Sequence, residues 1–203
     1  MKKNMIFGIV LAFVILGLAP IHAEDFQKRG EAAYRAQDYG EAARWYNKAA
    51  AQGNPYAQYG LGTMSENGQG VDQDVAAAQS WYQKAYKGFL KQAQHGSVDA
   101  QFRLGSLLAA GKGTKQNPAE AATWFRKAAD RGYIAAAFQL AALYEKGLGV
   151  KQDLVQAYIW YGITIKLGGE YAHVNFETLE SKLIIKQLDY AKGFIRVWKI
   201  KKS

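Results

Sequence analysis

Few side chains in this 203-residue chain have the types and spacing that metal binding or acid–base catalysis requires. After residue 23 the histidines are His95 and His173, which are far apart and lack both a second histidine at i+4 and any cysteine, so the spacing of a zinc site is missing. The carboxylates Glu66, Glu120 and Glu145 are scattered over predicted helical faces, where we expect solvation rather than a paired acid and base. The sequence therefore predicts no catalytic residue, no metal site and no cofactor.

The string Gly-Lys-Gly-Thr at residues 111–114 contains some letters of a phosphate-binding loop, but Lys112 is not followed by Ser or Thr and the required glycine spacing is missing. It belongs instead to a recurring turn. The strings GQGVDQD, GKGTKQN and GLGVKQD begin at Gly68, Gly111 and Gly147. The first glycine of each string can end a helix in the left-handed conformation, and the final Asp or Asn can accept hydrogen bonds from free amides of the next helix. Each string thus predicts a turn between two helices.

A second motif recurs with these turns. Strings of Trp, an aromatic residue, one variable residue, Lys and Ala begin at Trp45, Trp81 and Trp124, and a degenerate copy begins at Trp160. Their spacings of 36, 43 and 36 residues are typical of a repeat array. Apolar and small residues three and four apart flank each turn, so each repeat is predicted to be a helical hairpin with its aromatic residues in the core. The sequence therefore predicts an all-α solenoid.

The spacing of 43 residues contains seven more residues than the other two, and seven residues are about two helical turns. Such an insertion lengthens a helix with little rotation of its apolar face. We therefore expect the second helix of this repeat to project about 10 Å beyond its neighbours. Two interpretations remain open: Phe89 and Leu90 contact a partner from the projecting part, or the helix is merely longer.

The combined pattern A-x-x-x-L-G, G-x-G-V-x-Q-D and A-x-x-W-Y-x-K-A-A resembles the Sel-one-like repeat, a relative of the tetratricopeptide repeat. The resemblance implies an α/α solenoid, a right-handed superhelix of stacked helical hairpins, with a C-terminal capping helix. The chain departs from the family pattern at Ser65, usually aromatic, at Asn117, usually an acid, and at Tyr158 to Gly169, where the Lys-Ala signature is lost. The predicted segments are a signal peptide at 1–23, an opening hairpin resembling a tetratricopeptide repeat at 24–53, repeats at 54–96, 97–132 and 133–169, and a basic capping helix at 170–203.

Some cysteine-rich exported members of the family that the chain resembles carry a β-lactamase label. A β-lactamase-like or cell-wall-binding envelope protein is therefore the alternative function. The serine-enzyme motifs S-x-x-K, S-D-N and K-T-G are all missing from the sequence. We therefore expect a protein that is not an enzyme.

The N-terminal segment has the layout of a secretory signal peptide. Lys2 and Lys3 precede an uncharged stretch whose apolar part runs from Met5 to Leu18 and which ends near Ala23. An uncleaved membrane anchor is the rival interpretation, because the uncharged run is just long enough to span a bilayer. Pro20 and the small residue at the exit favour cleavage, so we expect a periplasmic or secreted protein, and the resemblance implies a bacterial envelope. The chain has no cysteine, which excludes both disulfides and lipid attachment at a cysteine.

The formal net charge of +9 is unevenly distributed. Residues 24–181 contain 17 Lys and Arg against 16 Asp and Glu, whereas residues 182–203 contain seven basic residues and one acid. An apolar seam with steps of four and three predicts a terminal helix that covers the end of the stack. The seam residues are Ile184, Leu188, Ala191, Ile195 and Trp198. The basic side chains would then face water, either simply solvated or in contact with anionic lipid headgroups or an acidic partner. They are Lys192, Arg196, Lys199, Lys201 and Lys202.

These observations predict an exported, monomeric scaffold that binds a peptide or protein partner on the concave face of the superhelix, which the first helices line. Nucleic acid is not an expected partner of an exported protein. The candidate groove positions are those that the core pattern does not use, and they are small, polar and weakly charged, which suits hydrogen bonding to an extended peptide. They are Gly60, Thr63, Asn67, Arg103, Ser106, Ala110, Gln139, Ala142 and Lys146.

Overall fold

The computed structural model describes residues 23–201, and within that range every regular element is helical. Residues 1–22 of the predicted signal peptide and the candidate lipid contact Lys202 lie outside the described residues. The elements are α1 (Ala23–Arg35), α2 (Tyr39–Ala51), α3 (Pro55–Asn67), α4 (Val75–Gln94), α5 (Val98–Ala110), α6 (Pro118–Asp130), α7 (Ile134–Lys146), α8 (Leu154–Lys166), a 3-10 turn (Glu170–Ala172), α9 (His173–Glu180) and α10 (Ile185–Val197).

Consecutive helices from α1 to α8 pack as four hairpins, and the second helix of each hairpin also packs against the first helix of the next. The predicted helical solenoid is therefore confirmed. The first helices are α1, α3, α5 and α7, and the second helices are α2, α4, α6 and α8.

The turns between the helices have the predicted chemistry. Gly68, Gly111 and Gly147 end α3, α5 and α7 in the left-handed conformation, with φ of 68°, 69° and 67°. The side chain at the end of each turn accepts a hydrogen bond from a free amide in the first turn of the next helix. These bonds run from Ala77 to Asp74, from Glu120 to Asn117 and from Gln156 to Asp153.

The repeated tryptophans lie at the side of the core and carry cations on their rings. The Nζ atoms of Lys48, Lys84 and Lys127 lie 4.2, 4.1 and 4.1 Å from the ring centroids of Trp45, Trp81 and Trp124. The lysine of each Trp-x-x-Lys string thus covers its own tryptophan, which is a favourable cation–π arrangement. In the degenerate copy, Arg126 from α6 lies 4.5 Å from the ring of Trp160 and takes this place.

Helix α4 is the long helix that the sequence predicts. It has 20 residues, whereas the other seven helices of the four hairpins have 13 each. The partner-contact interpretation is wrong for Phe89, whose side chain is 0% exposed. Its ring lies 5.0 Å from that of Tyr56 and 6.4 Å from that of Tyr59, both on α3. The additional turns therefore extend the core.

The longer helix displaces the following hairpin along the stack. The second glycine of each turn packs against the backbone of the preceding hairpin's second helix. In two of the three turns this glycine lies against the first residue of that helix: Gly70 against Tyr39 of α2, and Gly149 against Pro118 of α6. Gly113 packs instead against the backbone of Tyr82, seven residues beyond the start of α4. The α5–α6 hairpin is thus shifted by about two helical turns, which equals the insertion.

The segment after residue 169 covers the end of the solenoid with a 3-10 turn and two helices rather than with one helix. Helices α9 and α10 both pack against α8. Along the predicted seam, Ala191 and Trp198 are buried and Leu188 and Ile195 are partly buried. Ile184 is 66% exposed, so its place in the seam was wrongly predicted; it precedes the first helical residue and does not reach α8.

Candidate binding cleft

A cleft of about 290 Å³ opens on the face formed by the first helices, between α1, α3 and α5. A larger hollow of about 710 Å³ near the start of α8 is lined mainly by the exposed turn that precedes this helix, so it has few aromatic walls. The smaller cleft is named the tyrosine cleft here, after the four rings in its wall. Its lining residues are Glu31, Tyr34, Tyr46, Tyr56, Tyr59, Gly60, Thr63 and Arg103.

Tyr46 forms the floor of the cleft because two glycines make room for its ring. A methyl group at Gly30 of α1 would lie 2.5 Å from Cδ1 of Tyr46, and one at Gly60 of α3 would lie 2.8 Å from Cε2. The ring of this α2 residue therefore passes between two first helices and reaches their outer face. Only 6% of Tyr46 is exposed, but its hydroxyl is open to the cleft and has no hydrogen-bond partner among the described residues.

Arg103 forms the opposite wall of the cleft. Its Nε donates to Oδ2 of Asp99 over 2.8 Å, one helical turn earlier on α5. Its guanidinium carbon lies 4.9 and 5.9 Å from the ring centroids of Tyr56 and Tyr59, in cation–π range. The hydroxyl of Tyr133 donates to the other oxygen of Asp99 over 2.8 Å, which fixes this carboxylate. The terminal nitrogens of Arg103 have no hydrogen-bond partner within residues 23–201.

The electrostatics keep these groups in defined protonation states. Burial, with a further contribution from the charge of Glu31, raises the pKa of Tyr46 to about 12, and burial raises the pKa of Tyr56 to about 12. Burial alone would raise the pKa of Asp99, but the hydrogen bonds from Arg103 and Tyr133 outweigh it and lower the pKa. At neutral pH the cleft therefore presents neutral hydroxyls and a charged guanidinium.

The carboxylates Glu66 and Glu145 are structural, which corrects the prediction that they are solvated. Glu66 accepts from the hydroxyl of Tyr82 over 2.7 Å and forms an ion pair with Lys112 of the next turn. The hydrogen bond from Lys112, followed by that from Tyr82, lowers the pKa of Glu66. Glu145 accepts from Tyr161 over 2.8 Å in the equivalent position of the last hairpin. These bonds tie a second helix to the first helix of its own hairpin.

The structure brings three of the nine predicted groove residues together. Gly60, Thr63 and Arg103 line the tyrosine cleft. The other six are on the same set of first helices but are not part of the cleft lining. Asn67, Ala110, Gln139 and Lys146 are exposed, while Ser106 and Ala142 are partly buried. Partner binding at these positions stays a prediction.

Sequence reasoning missed the aromatic part of the cleft. It assigned the aromatic residues to the core, and Tyr34, Tyr56 and Tyr59 are only partly buried. These three tyrosines are on first helices and outside the Trp-aromatic motif, and this position is the signal that could have assigned them to the groove. No local pattern indicated that Tyr46, which belongs to that motif, lies between two glycines of other helices.

The predicted basic surface is partly neutralised. Lys192 forms an ion pair with Glu180 at 2.6 Å, and Lys201 forms one with Asp130 at 2.7 Å. Arg196 and Lys199 are exposed. Contact of this surface with lipid stays a prediction.

Among residues 23–201 no group of three His, Cys, Asp or Glu side chains is placed to hold a metal ion. His95 is exposed, and His173 is partly exposed beside Glu170. In this same part of the chain, no helix combines the length and apolar character that a transmembrane span needs.

Comparison with known protein families identifies the repeats. The family model of the Sel1 repeat matches residues 26–54, 55–88, 98–133 and 134–169. These four matches cover the four hairpins in turn. Residues 89–97, between the second and third matches, include the last turns of α4.

Two solved structures are similar in fold and sequence. A protective antigen present in uropathogenic Escherichia coli strains, described as displaying an SLR fold, is 31% identical with a TM-score of 0.55; the match covers 87% of this chain and 45% of that one. A Sel1 repeat protein from Oxalobacter formigenes is also 31% identical with a TM-score of 0.53, covering 74% of this chain and 59% of that one.

Curated relatives match over single segments. Chitin synthase regulatory factor 3 of Schizosaccharomyces pombe is 47% identical over 47 residues, which are 23% of this chain and 5% of that protein. Chitin synthase regulator SKT5 of Saccharomyces cerevisiae is 43% identical over 49 residues, which are 24% of this chain and 7% of that protein. The chain thus matches less than a tenth of the length of these relatives.

Proposed function

The chain belongs to the Sel1 repeat family, and from this premise we propose that it is an exported, non-enzymatic scaffold that holds a segment of a protein partner in the tyrosine cleft. Sel1 repeat proteins generally bind protein partners, and no enzyme family is indicated for this chain. The proposal assigns the partner to one place on the first-helix face, centred on Tyr46 and Arg103.

The observation that carries the proposal is a set of unused hydrogen-bond donors between aromatic walls. The Tyr46 hydroxyl and the terminal nitrogens of Arg103 have no hydrogen-bond partner among the described residues, and the hydroxyl is open to the cleft although the rest of Tyr46 is buried. A ligand that supplies acceptor atoms can pair with these donors, and a hydrogen bond to a charged donor such as Arg103 contributes about 1.5–3 kcal/mol. Tyrosine and arginine are also the residue types in which binding energy concentrates at protein interfaces.

The composition of the cleft favours an extended peptide over a highly charged ligand. Glu31 and Arg103 give the lining one charge of each sign. Four tyrosine rings supply apolar contact area at low entropic cost, and the donors suit carbonyl oxygens of an extended main chain. The exposed positions Gln139 and Lys146 on α7 would extend the contact along the solenoid.

Export remains part of the proposal on the basis of the sequence. The chain begins with Lys2 and Lys3 followed by an apolar run from Met5 to Leu18, which fits a protein that is exported across a membrane. It has no cysteine, which fits a protein that folds without disulfides. Fusing residues 1–30 to alkaline phosphatase, which is active only after export, tests this part. We expect phosphatase activity in the fusion and none when Leu11 and Phe13 are both changed to Asp.

Partner capture is the first step of the binding test. The protein from residue 23 onward is used, since the buried core lies within the described residues. A photo-crosslinking amino acid at Thr63, in the cleft, is compared with one at Ser80, an exposed residue of α4 outside the cleft. We expect a partner segment that is captured from Thr63 and not from Ser80.

Affinity for that segment, made as a synthetic peptide, then tests the assigned residues. We expect Tyr46→Phe and Arg103→Ala each to weaken binding by about ten-fold or more. The matched controls are Tyr171→Phe and Arg44→Ala, at exposed sites away from the cleft, and both should bind as the unaltered protein does. Equal affinity of the cleft variants and the controls would contradict the proposal.

A further inference from the structure

The outer face of α10 carries apolar side chains that the solenoid does not use. Tyr190, Phe194 and Val197 are 60%, 40% and 66% exposed, and their spacing of four and three residues places them on one side of the helix. These three residues are called the terminal stripe. The opposite side of α10, with Ala191 and Ile195, already covers α8.

The terminal stripe is held outward by fixed contacts. The ammonium of Lys166 donates to the carbonyl oxygens of Ile195, Arg196 and Trp198 at 2.8 to 2.9 Å, which caps the end of α10. The backbone amide of Lys201 then donates to the carbonyl of Asp130 over 2.8 Å. With both α10 and the following residues anchored, the stripe cannot turn inward without breaking these bonds.

The charges around the terminal stripe indicate what covers it. Lys182, Lys186, Arg196 and Lys199 have no ion-pair partner within the described residues, whereas Asp189 is the one acid between residues 182 and 201. Lys186 lies one turn before Tyr190, on the same side of the helix. If a second copy of the chain packed on this face, its cations would lie against the same cations of the first copy, and the repulsion between like charges disfavours such self-association.

We propose that the terminal stripe docks on an anionic lipid surface. The three apolar side chains would enter the boundary between headgroups and acyl chains, and the four cations would contact lipid phosphates. An aromatic and aliphatic face flanked by Lys and Arg is the composition of helices that lie in the membrane plane. This docking uses the C-terminal end of the solenoid and does not involve the tyrosine cleft, which is formed by α1, α2, α3 and α5.

Vesicle sedimentation tests the proposal. The protein is used from residue 23 onward, so that the apolar N-terminal segment does not contribute to binding. It is mixed with vesicles of phosphatidylcholine alone or of phosphatidylcholine with one quarter phosphatidylglycerol. We expect binding to the anionic vesicles and a loss of binding in high salt. Phe194→Asp and the double change Lys186→Glu, Lys199→Glu should each weaken binding by about ten-fold or more. Circular dichroism confirms that each variant keeps its helices.

Two controls match these changes at exposed sites in the first two hairpins, away from the terminal stripe. Val75→Asp, at a 62% exposed valine, controls for Phe194→Asp, and Arg44→Glu controls for the charge reversals. Both should bind vesicles as the unaltered protein does. The proposal is overturned if the anionic vesicles are not bound, or if stripe and control variants bind alike. It is also overturned if the protein self-associates without lipid and Phe194→Asp abolishes that association, which would assign the stripe to a second copy.

Discussion

The glycines around Tyr46 allow a quantitative test of the packing that forms the tyrosine cleft. In Gly60→Ala the new methyl carbon would lie 2.8 Å from Cε2 and 3.1 Å from Cδ2 and Cζ of Tyr46. The first distance is shorter than normal carbon contacts, so the ring or helix α3 must move. The ring cannot move far, because Gly30 faces its other edge, where a methyl would lie 2.5 Å away.

The expected change in the free energy of unfolding for Gly60→Ala is the difference between two opposing effects. Replacing glycine by alanine inside a helix contributes about 1 kcal/mol of stability through helix propensity. Overpacking of a closed core costs about 1–3 kcal/mol, and a ring enclosed on two sides belongs at the upper end of that range. We therefore expect Gly60→Ala to lower the free energy of unfolding by about 1–2 kcal/mol. The corresponding fall in the melting temperature is about 2–8 °C for a chain of this size.

Urea denaturation followed by circular dichroism measures this change, and Gly193→Ala is the matched control. No atom lies within 4 Å of a methyl group at Gly193, which is in the interior of α10. This control should raise the free energy of unfolding by about 0.5–1 kcal/mol. If Gly60→Ala stabilises the protein as much as Gly193→Ala does, the close packing of Tyr46 against α3 is refuted.

Two further predictions concern the inserted turns and the buried tyrosines. Phe89→Ala should lower the free energy of unfolding by about 3–5 kcal/mol, because the ring is fully buried. Leu90→Ala should lower it by less, because Leu90 is only partly buried. Equal losses in urea denaturation would show that the ring of Phe89 is not a core element. Burial raises the pKa of Tyr82 and of Tyr133 to about 12, so the folded protein resists ionisation that the unfolded chain undergoes near pH 10. Stability should therefore be retained below pH 10 and fall between about pH 10 and 12. Comparing the alkaline absorbance titration of the unaltered protein with those of Tyr82→Phe and Tyr133→Phe isolates these two hydroxyls, and ionisation of either in the folded protein near pH 10 would contradict the prediction.

Much of the hairpin geometry was predictable because its causes are local. A glycine that ends a helix and an Asp or Asn that begins the next act over seven residues, and all three turns have the predicted conformation. The length of α4 also followed from counting, since seven residues fill two turns. The burial of Phe89 did not, because it depends on which residues of α3 lie opposite the added turns.

The candidate cleft was only partly predictable. Gly60, Thr63 and Arg103 were proposed from their positions on first helices, and they meet in the structure. The floor of the cleft was not foreseen, because Tyr46 carries the same motif position as the core residue Tyr82. Both rings pack against a glycine of their own hairpin, Gly30 for Tyr46 and Gly62 for Tyr82. What distinguishes Tyr46 is a second glycine, Gly60 on the first helix of the next hairpin, and no spacing within one helix expresses this relation between three helices.

The sequence by itself determined the repeat unit, its turns, its family and the uneven distribution of charge, because repeated motifs, helix caps and net charge are properties of neighbouring residues. The tertiary structure decided three further features: the two-turn shift of the α5–α6 hairpin, the cleft between Tyr46 and Arg103, and the outward position of the terminal stripe. Each of these depends on contacts between residues on different helices, such as the packing of Gly113 against Tyr82, and such contacts are fixed only when the hairpins are stacked.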